Sequence, residues 1–145
     1  MKIAFACDHA GFPLKAPVVK HLEELGHEVV DLGCFTPERV DYPLQGEKAA
    51  RVVASGECEL GVLICGTGIG ISLAANRVRG IRAAVCSEPY SAELTRRHNN
   101  ANMIAFGARV VGEGTACAIL DAFLNAQFEG GRHAVRVAML DQIKP

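Results

Sequence analysis

The stretch Leu60-Gly61-Val62-Leu63-Ile64-Cys65-Gly66-Thr67-Gly68-Ile69-Gly70-Ile71-Ser72 limits the possible folds more than any other part of the 145-residue chain. It opens as a short apolar run, the pattern of a buried strand. It closes on glycines at alternate positions, and an amphipathic run through Arg77 follows. That order predicts a strand, a tight turn and a helix start. Glycine lets a backbone take positive φ and come close to a ligand. Successive free N–H groups at such a turn, backed by a helix N-terminus, make an anion hole. Cys65 ends the strand and puts a thiol at the rim of that hole. The spacing G-x-G-x-G is not the dinucleotide G-x-G-x-x-G, and no Gly-Lys-Ser/Thr marks a nucleotide-triphosphate loop. The plainer alternative is a glycine turn beside a core cysteine. The C-terminal end of a strand is the usual ligand edge of an open α/β sheet, and this favours a functional loop.

Strand and helix patterns alternate along the rest of the chain, which predicts a parallel sheet with helices on both faces. Strands are expected at 2–7, 28–32, 60–65, 82–86 and 102–106. Helices are expected at 12–25, 45–55, 89–97 and 114–127, with a last short one at 132–143. The segment 33–43 reads as a polar loop, and Gly26 as a helix stop. Pro13 suits a first turn, whereas Pro17 lacks an N–H one turn in, so that helix either starts later or begins irregularly. Right-handed crossovers follow from the alternation, but strand order does not. The length fits one domain spanning 1–145, with no repeat or linker.

Composition narrows the function. A net charge of −1 gives no reason to expect nucleic-acid or membrane partners, and no apolar run approaches a transmembrane span. The first apolar run is cut by Asp8 and His9, too early for a signal peptide, so a cytoplasmic location is expected. Six cysteines form no C-x-x-C, and the five histidines lack metal-ligand spacing. Reduced thiols are expected, with no metal and no cofactor.

Three groups could join Cys65. Asp8 and His9 follow the first strand and should share the edge of the Cys65 loop; the alternative is a solvated turn in which Asp8 caps a helix. His98 and Asn99 end a helix whose dipole favours imidazolium, so His98 could move protons; the alternative is an exposed helix-end histidine. Arg132 and Arg136 stand i, i+4 and share a helix face, an arrangement that invites a phosphate or carboxylate. Their alternative is a solvated face, or ion pairs with Asp141 and Glu129. Arg109, past the last strand, is a possible third cation. A thiol, an anion-holding loop, an acid/base histidine and a cationic clamp suit proton transfer beside a carbonyl in a phosphorylated small molecule.

Six segments together resemble the type B ribose-5-phosphate isomerases of the ribose/galactose isomerase superfamily. They are Cys7-Asp8-His9-Ala10-Gly11, Asp41-Tyr42-Pro43, Ile64 to Ser72, Ala83 to Tyr90, His98-Asn99-Asn100-Ala101-Asn102 and Glu129-Gly130-Gly131-Arg132-His133. The resemblance runs almost end to end. It implies a Rossmann-like three-layer α/β/α sandwich with a five-stranded parallel sheet. It also implies a homodimer, or a dimer of dimers, with sites at the subunit interface. The implied reaction is metal-free interconversion of D-ribose 5-phosphate and D-ribulose 5-phosphate through an enediolate. Carried over residue by residue, Cys65 is similar to the base that moves the C2 proton. His98 is similar to the ring-opening acid/base, with Asp8 and Thr67 assisting. Gly66, Thr67, Gly68, Ile69 and Gly70 resemble the enediolate-holding loop, while Asn99 and Tyr42 fall in the sugar-binding set. His9, Arg109, Arg132 and Arg136 resemble the phosphate ligands. A six-carbon sugar-phosphate isomerase, acting on allose 6-phosphate or galactose 6-phosphate, is the nearest alternative, and a non-catalytic sugar-phosphate sensor is the alternative from another class.

Overall fold

The computed structural model describes residues 1–144. Five strands form one parallel sheet in the order β2-β1-β3-β5-β4: β1 Lys2–Cys7, β2 Glu28–Asp31, β3 Leu60–Cys65, β4 Ala83–Val85 and β5 Met103–Gly107. The central strands β1, β3 and β5 are buried on both faces, which is why their sequences are continuous apolar runs rather than alternating ones. Six helices complete the chain: α1 Phe12–Glu24, α2 Tyr42–Ala54, α3 Ile69–Ala75, α4 Pro89–Asn99, α5 Glu113–Asn125 and α6 Arg132–Gln142.

The layers follow from handedness. Connections that move leftward in the sheet, β1 to β2 and β4 to β5, carry α1 and α4; those that move rightward carry α2 and α3. Right-handed crossovers put the two pairs on opposite faces. The core is split accordingly. One apolar cluster joins Leu14, Val18 and Leu22 of α1 to Ile119, Leu120 and Phe123 of α5. The other joins Ala49, Ala50 and Val53 of α2 to Ile71 and Ala75 of α3. The α/β/α sandwich is therefore as expected.

Two helix starts are informative. Pro17 lies inside α1, and the helix still begins at Phe12. The Leu14 N–H donates to the Gly11 carbonyl at 3.1 Å, a tighter first turn than an α-helix makes. The helix stops as expected, with Gly26 at φ +90°. The segment 33–43 is not loop throughout. Asp41 is the extended N-cap of α2, and Tyr42-Pro43 form its first turn, where proline's fixed φ is suited and its missing N–H costs nothing.

Candidate active site

β1 and β3 are neighbours, but the chain leaves their C-terminal ends in opposite directions, and a crevice opens there. The turn after β1 and the glycine loop after β3 form its walls. The backbones press so closely that side chains have no room. A Cβ on Gly11 would run into the Ile64 carbonyl, and one on Gly68 would lie 2.7 Å from Cα of Phe106. Gly68 also has φ +82°, a conformation that other residues seldom adopt.

Cys65 sits at this edge, 5% exposed, and its Sγ accepts the Gly68 N–H at 3.1 Å. Sulfur can accept that bond with or without its proton. Thr67 lies at the tip of the loop, where its Oγ1 accepts the Ile69 N–H at 3.2 Å. Among the described residues, the N–H groups of Thr67, Gly70 and Ile71 have no acceptor. These are the free donors that the sequence predicted. Two further thiols lie at strand ends: burial pushes Cys7 up to about 12, and burial with Glu88 pushes Cys86 up to about 11. Those two keep their protons and serve as core.

Four more of the expected residues gather here. Asp8 is buried, and its Oδ1 accepts the Gly11 N–H at 2.9 Å. It holds the turn from inside the protein, and α1 has no side-chain cap, so the plainer alternative of a solvated, helix-capping Asp8 is not what forms. His9 Nδ1 lies 3.2 Å from the Val40 carbonyl oxygen and 3.3 Å from its nitrogen, which ties the turn to the 33–40 segment. Tyr42 lays its ring over Gly70, where an added Cβ would be 2.7 Å from the ring. The Arg109 N–H donates to the Gly66 carbonyl at 3.1 Å, and its guanidinium reaches over Gly66.

His98, Asn99, Arg132 and Arg136 do not join them. α4 starts at the C-terminal edge of the sheet and ends at the opposite one. There the Asn102 carbonyl accepts the Gly61 N–H, and its side chain holds the Arg82 and Gly80 backbone. Cys65 pairs with Gly107 on β5, whereas the His98 end of α4 precedes Met103. The rise from Met103 to Gly107 alone is about 13 Å. α6 starts beside the end of α4, where the Glu129 N–H donates to the Arg97 carbonyl. It ends near the start of β4 through an Arg82–Asp141 ion pair at 3.3 Å. One chain thus carries the expected residues in two groups, half of the expected site at each of two opposite edges of its sheet.

The second half-site holds two residues whose part the sequence did not reveal. Glu129 accepts from Arg97 Nε at 2.6 Å and faces His98 Nε2 at 3.7 Å and His133 Nε2 at 3.8 Å. In the sequence Glu129 and His133 stood out only by their i, i+4 spacing and their place in the Glu129-Gly130-Gly131-Arg132-His133 segment, with Glu129 named as a possible ion-pair partner of the arginines. With Glu129 taken by Arg97 and Asp141 by Arg82, Arg132 and Arg136 stand exposed without an ion pair among the described residues. The Nε2 and carboxylate atoms of His98, Glu129 and His133 lie within 4.8 Å of one another, close enough to suggest a metal. The two rings, however, are stacked 4.2 Å apart and 6° from parallel. An ion shared between them would sit about 2 Å out of each ring plane, nearly the full length of a metal–nitrogen bond. In-plane lone pairs do not reach such a point, so this geometry is a poor metal site.

A doubly wound parallel sheet with a thiol and free N–H donors at its switch point defines a Rossmann-like α/β protein built to hold a small anionic substrate. Residues 3–140 match the ribose/galactose isomerase family model, and the chain belongs to that family. It is 57% identical over 143 residues to ribose-5-phosphate isomerase B of Escherichia coli, covering 99% of this chain and 96% of that protein. The structure of ribose-5-phosphate isomerase B from Clostridium thermocellum is similar at TM-score 0.97 and 51% identity, covering 98% and 96% of the two chains. The Mycoplasma genitalium ribose-5-phosphate isomerase B, solved with bound ribulose-5-phosphate, matches at TM-score 0.92 and 39% identity over 97% and 94%.

Proposed function

We propose that the chain is an aldose–ketose isomerase that interconverts D-ribose 5-phosphate and D-ribulose 5-phosphate, a step of the non-oxidative pentose phosphate pathway. The observation that carries this reading is the Cys65 sulfur at the rim of a loop with free N–H donors. Cys65 as thiolate takes the C2 proton of the open-chain aldose. The electron pair moves onto the C1 carbonyl oxygen and leaves an enediolate. The O2 proton passes to O1, and return of the Cys65 proton to C1 then gives the ketose and regenerates the thiolate. The C2 proton is too weakly acidic for a thiolate unless the developing oxyanion is stabilised, and fixed N–H donors supply about 3–4 kcal/mol each.

His98 opens the furanose first, moving a proton between the anomeric hydroxyl and the ring oxygen, with Asp8 and Thr67 assisting at the loop and Asn99 holding a sugar hydroxyl. His9, Arg109, Arg132 and Arg136 take the phosphate, whose remote binding energy positions C1 and C2 against Cys65.

Because His98 and Cys65 lie on opposite edges, the working unit in this reading is a homodimer. A two-fold axis brings the His98 edge of one copy to the Cys65 edge of the other and makes two equal sites. Each edge has its own exposed apolar residues to bury: Ile69 and Leu73 beside the loop, and Val135 and Met139 on α6. No described helix is long and apolar enough to cross a membrane. A cytoplasmic location accords with six unpaired thiols.

One relative is a galactose-6-phosphate isomerase subunit from Clostridium acetobutylicum, 43% identical over 129 residues, and it motivates a second reading, a six-carbon substrate. A coupled assay separates the cases. Highest kcat/KM on ribose 5-phosphate supports the proposal. Preference for allose 6-phosphate or galactose 6-phosphate supports the second reading. Binding without turnover would make the protein a sensor and overturn both.

A further inference from the structure

The second half-site contains more than its reading requires. His98 lies flat against His133, with ring centroids 4.2 Å apart and planes 6° apart. His133 is 7% exposed, and its Nε2 is buried without a hydrogen-bond partner. A buried imidazole that makes no hydrogen bond through that atom gives up solvation for something else. What it touches with its whole face is His98. Across the edge of the stack stands the Glu129 carboxylate, 3.7 Å from His98 Nε2 and 3.8 Å from His133 Nε2. Glu129 is itself fixed by Arg97 at 2.6 Å, and Arg97 by Glu93 at 2.9 Å.

We propose that His133 and Glu129 are positioning residues for His98. His133 fixes the plane of the His98 ring, and Glu129 stabilises the imidazolium that forms there during ring opening. This inference rests on the isomerase reading above. α4 presents His98 in its last turn, half-buried, where an unsupported side chain would still rotate. Stacking on a ring anchored in α6 removes that freedom before substrate arrives, and a preset geometry is what general acid–base transfer needs.

The charges divide the labour between the two rings. Burial, then neighbouring His98 and Arg132, hold His133 below the ordinary imidazole range, with Glu129 opposing and Arg136 adding to the depression. The hydrogen bond from Arg97 holds Glu129 below the usual carboxylate range, so it is charged at neutral pH. His98 is the more exposed ring of the two and the one that substrate can reach, and Glu129 stands 3.7 Å from its Nε2 as a counter-charge. Among the described residues, the charged groups around the pair are Arg97 and Glu93 from α4, Glu129 from the preceding turn, and Arg132 and Arg136 from α6.

The test separates ring opening from proton transfer at carbon. Ribose 5-phosphate turnover needs both steps. Exchange of the ribulose 5-phosphate C1 proton in D2O needs no furanose opening. Glu129→Gln and His133→Ala should each lower kcat on ribose 5-phosphate by about tenfold or more, with KM within about twofold and ketose exchange nearly unchanged. His133→Phe, which keeps a flat ring and removes the orphan nitrogen, should recover most of the kcat lost in His133→Ala. Equal loss of both readouts in Glu129→Gln, whose shape is preserved, or a His133→Phe as slow as His133→Ala, would overturn the assignment. A misfolded His133→Ala loses both readouts, and Glu129→Gln then decides alone. Wild-type protein inert on ribose 5-phosphate would overturn the isomerase reading first, an outcome distinct from an active enzyme whose Glu129 variant loses both rates together.

Discussion

The backbone N–H of Gly68 points at the sulfur of Cys65 from 3.1 Å, so the loop proposed to hold the oxyanion also fixes the thiol proposed as the base. Replacing Cys65 with Ala should abolish turnover while leaving ribose 5-phosphate binding within about tenfold, because the phosphate ligands are intact. Steady-state rates and calorimetric titration check this together. Near-normal turnover in a folded Cys65→Ala would remove the thiol from the mechanism.

Gly68→Ala should be far worse than a methyl group suggests. It puts a Cβ against the Phe106 backbone at a φ of +82°. We expect a loss of at least about 2 kcal/mol of stability from clash and backbone strain. The loop can relieve that strain only by leaving Cys65, so activity should fall further than stability. Urea unfolding and kcat, measured on the same preparation, read the two effects.

Loss of either guanidinium at Arg132 or Arg136 should cost about 2–4 kcal/mol in kcat/KM on ribose 5-phosphate, as expected for a charge-assisted contact. Free ribose has no phosphate to lose and should suffer little further. Equal losses on both substrates would make the arginines structural.

Two inactive variants should make an active mixture. Cys65→Ala and His98→Asn chains, allowed to exchange subunits, form mixed dimers in which one of the two sites is wholly native. Random pairing should restore about a quarter of wild-type activity. No recovery after verified exchange would place both residues in a site built from a single chain.

Alkaline pH should weaken the fold through Cys7 and Cys86. Their native pKa values of about 12 and about 11 lie above the ordinary thiol value. Above pH 9 the unfolded chain releases these protons while the native chain keeps them. Stability is therefore full below pH 9 and falls as pH rises toward 11–12, by up to about 1.4 kcal/mol per thiol per pH unit. Denaturant melts at pH 8, 9.5 and 10.5 should show a shallower decline for Cys7→Ala.

Most of the fold was legible because local patterns and global packing agree. The strand at 60–65 and its glycine turn followed from apolar run and spacing alone, and the Gly26 stop from its place after the helix. The start of α2 was missed because Asp41-Tyr42-Pro43 carries loop chemistry that also suits an N-cap and first turn. Strand order depends on which helix crosses which face, and no short stretch encodes that. Cys65, Asp8, His9 and Arg109 could be placed together because each follows a parallel strand and shares its C-terminal edge. His98 could not be kept apart from them by sequence alone, since a helix-end residue reveals its edge only once the direction of α4 is known. The stack on His133 was invisible for a different reason: it joins α4 to α6 through a turn that no periodicity describes.

The width of the sheet has a consequence for the cell. In the dimeric reading, a freshly made chain folds, fills its core and still lacks half of the groups it needs, because no single copy spans the gap from Cys65 to His98. Isomerisation then begins at the first productive encounter between copies, and dilution alone is enough to switch it off.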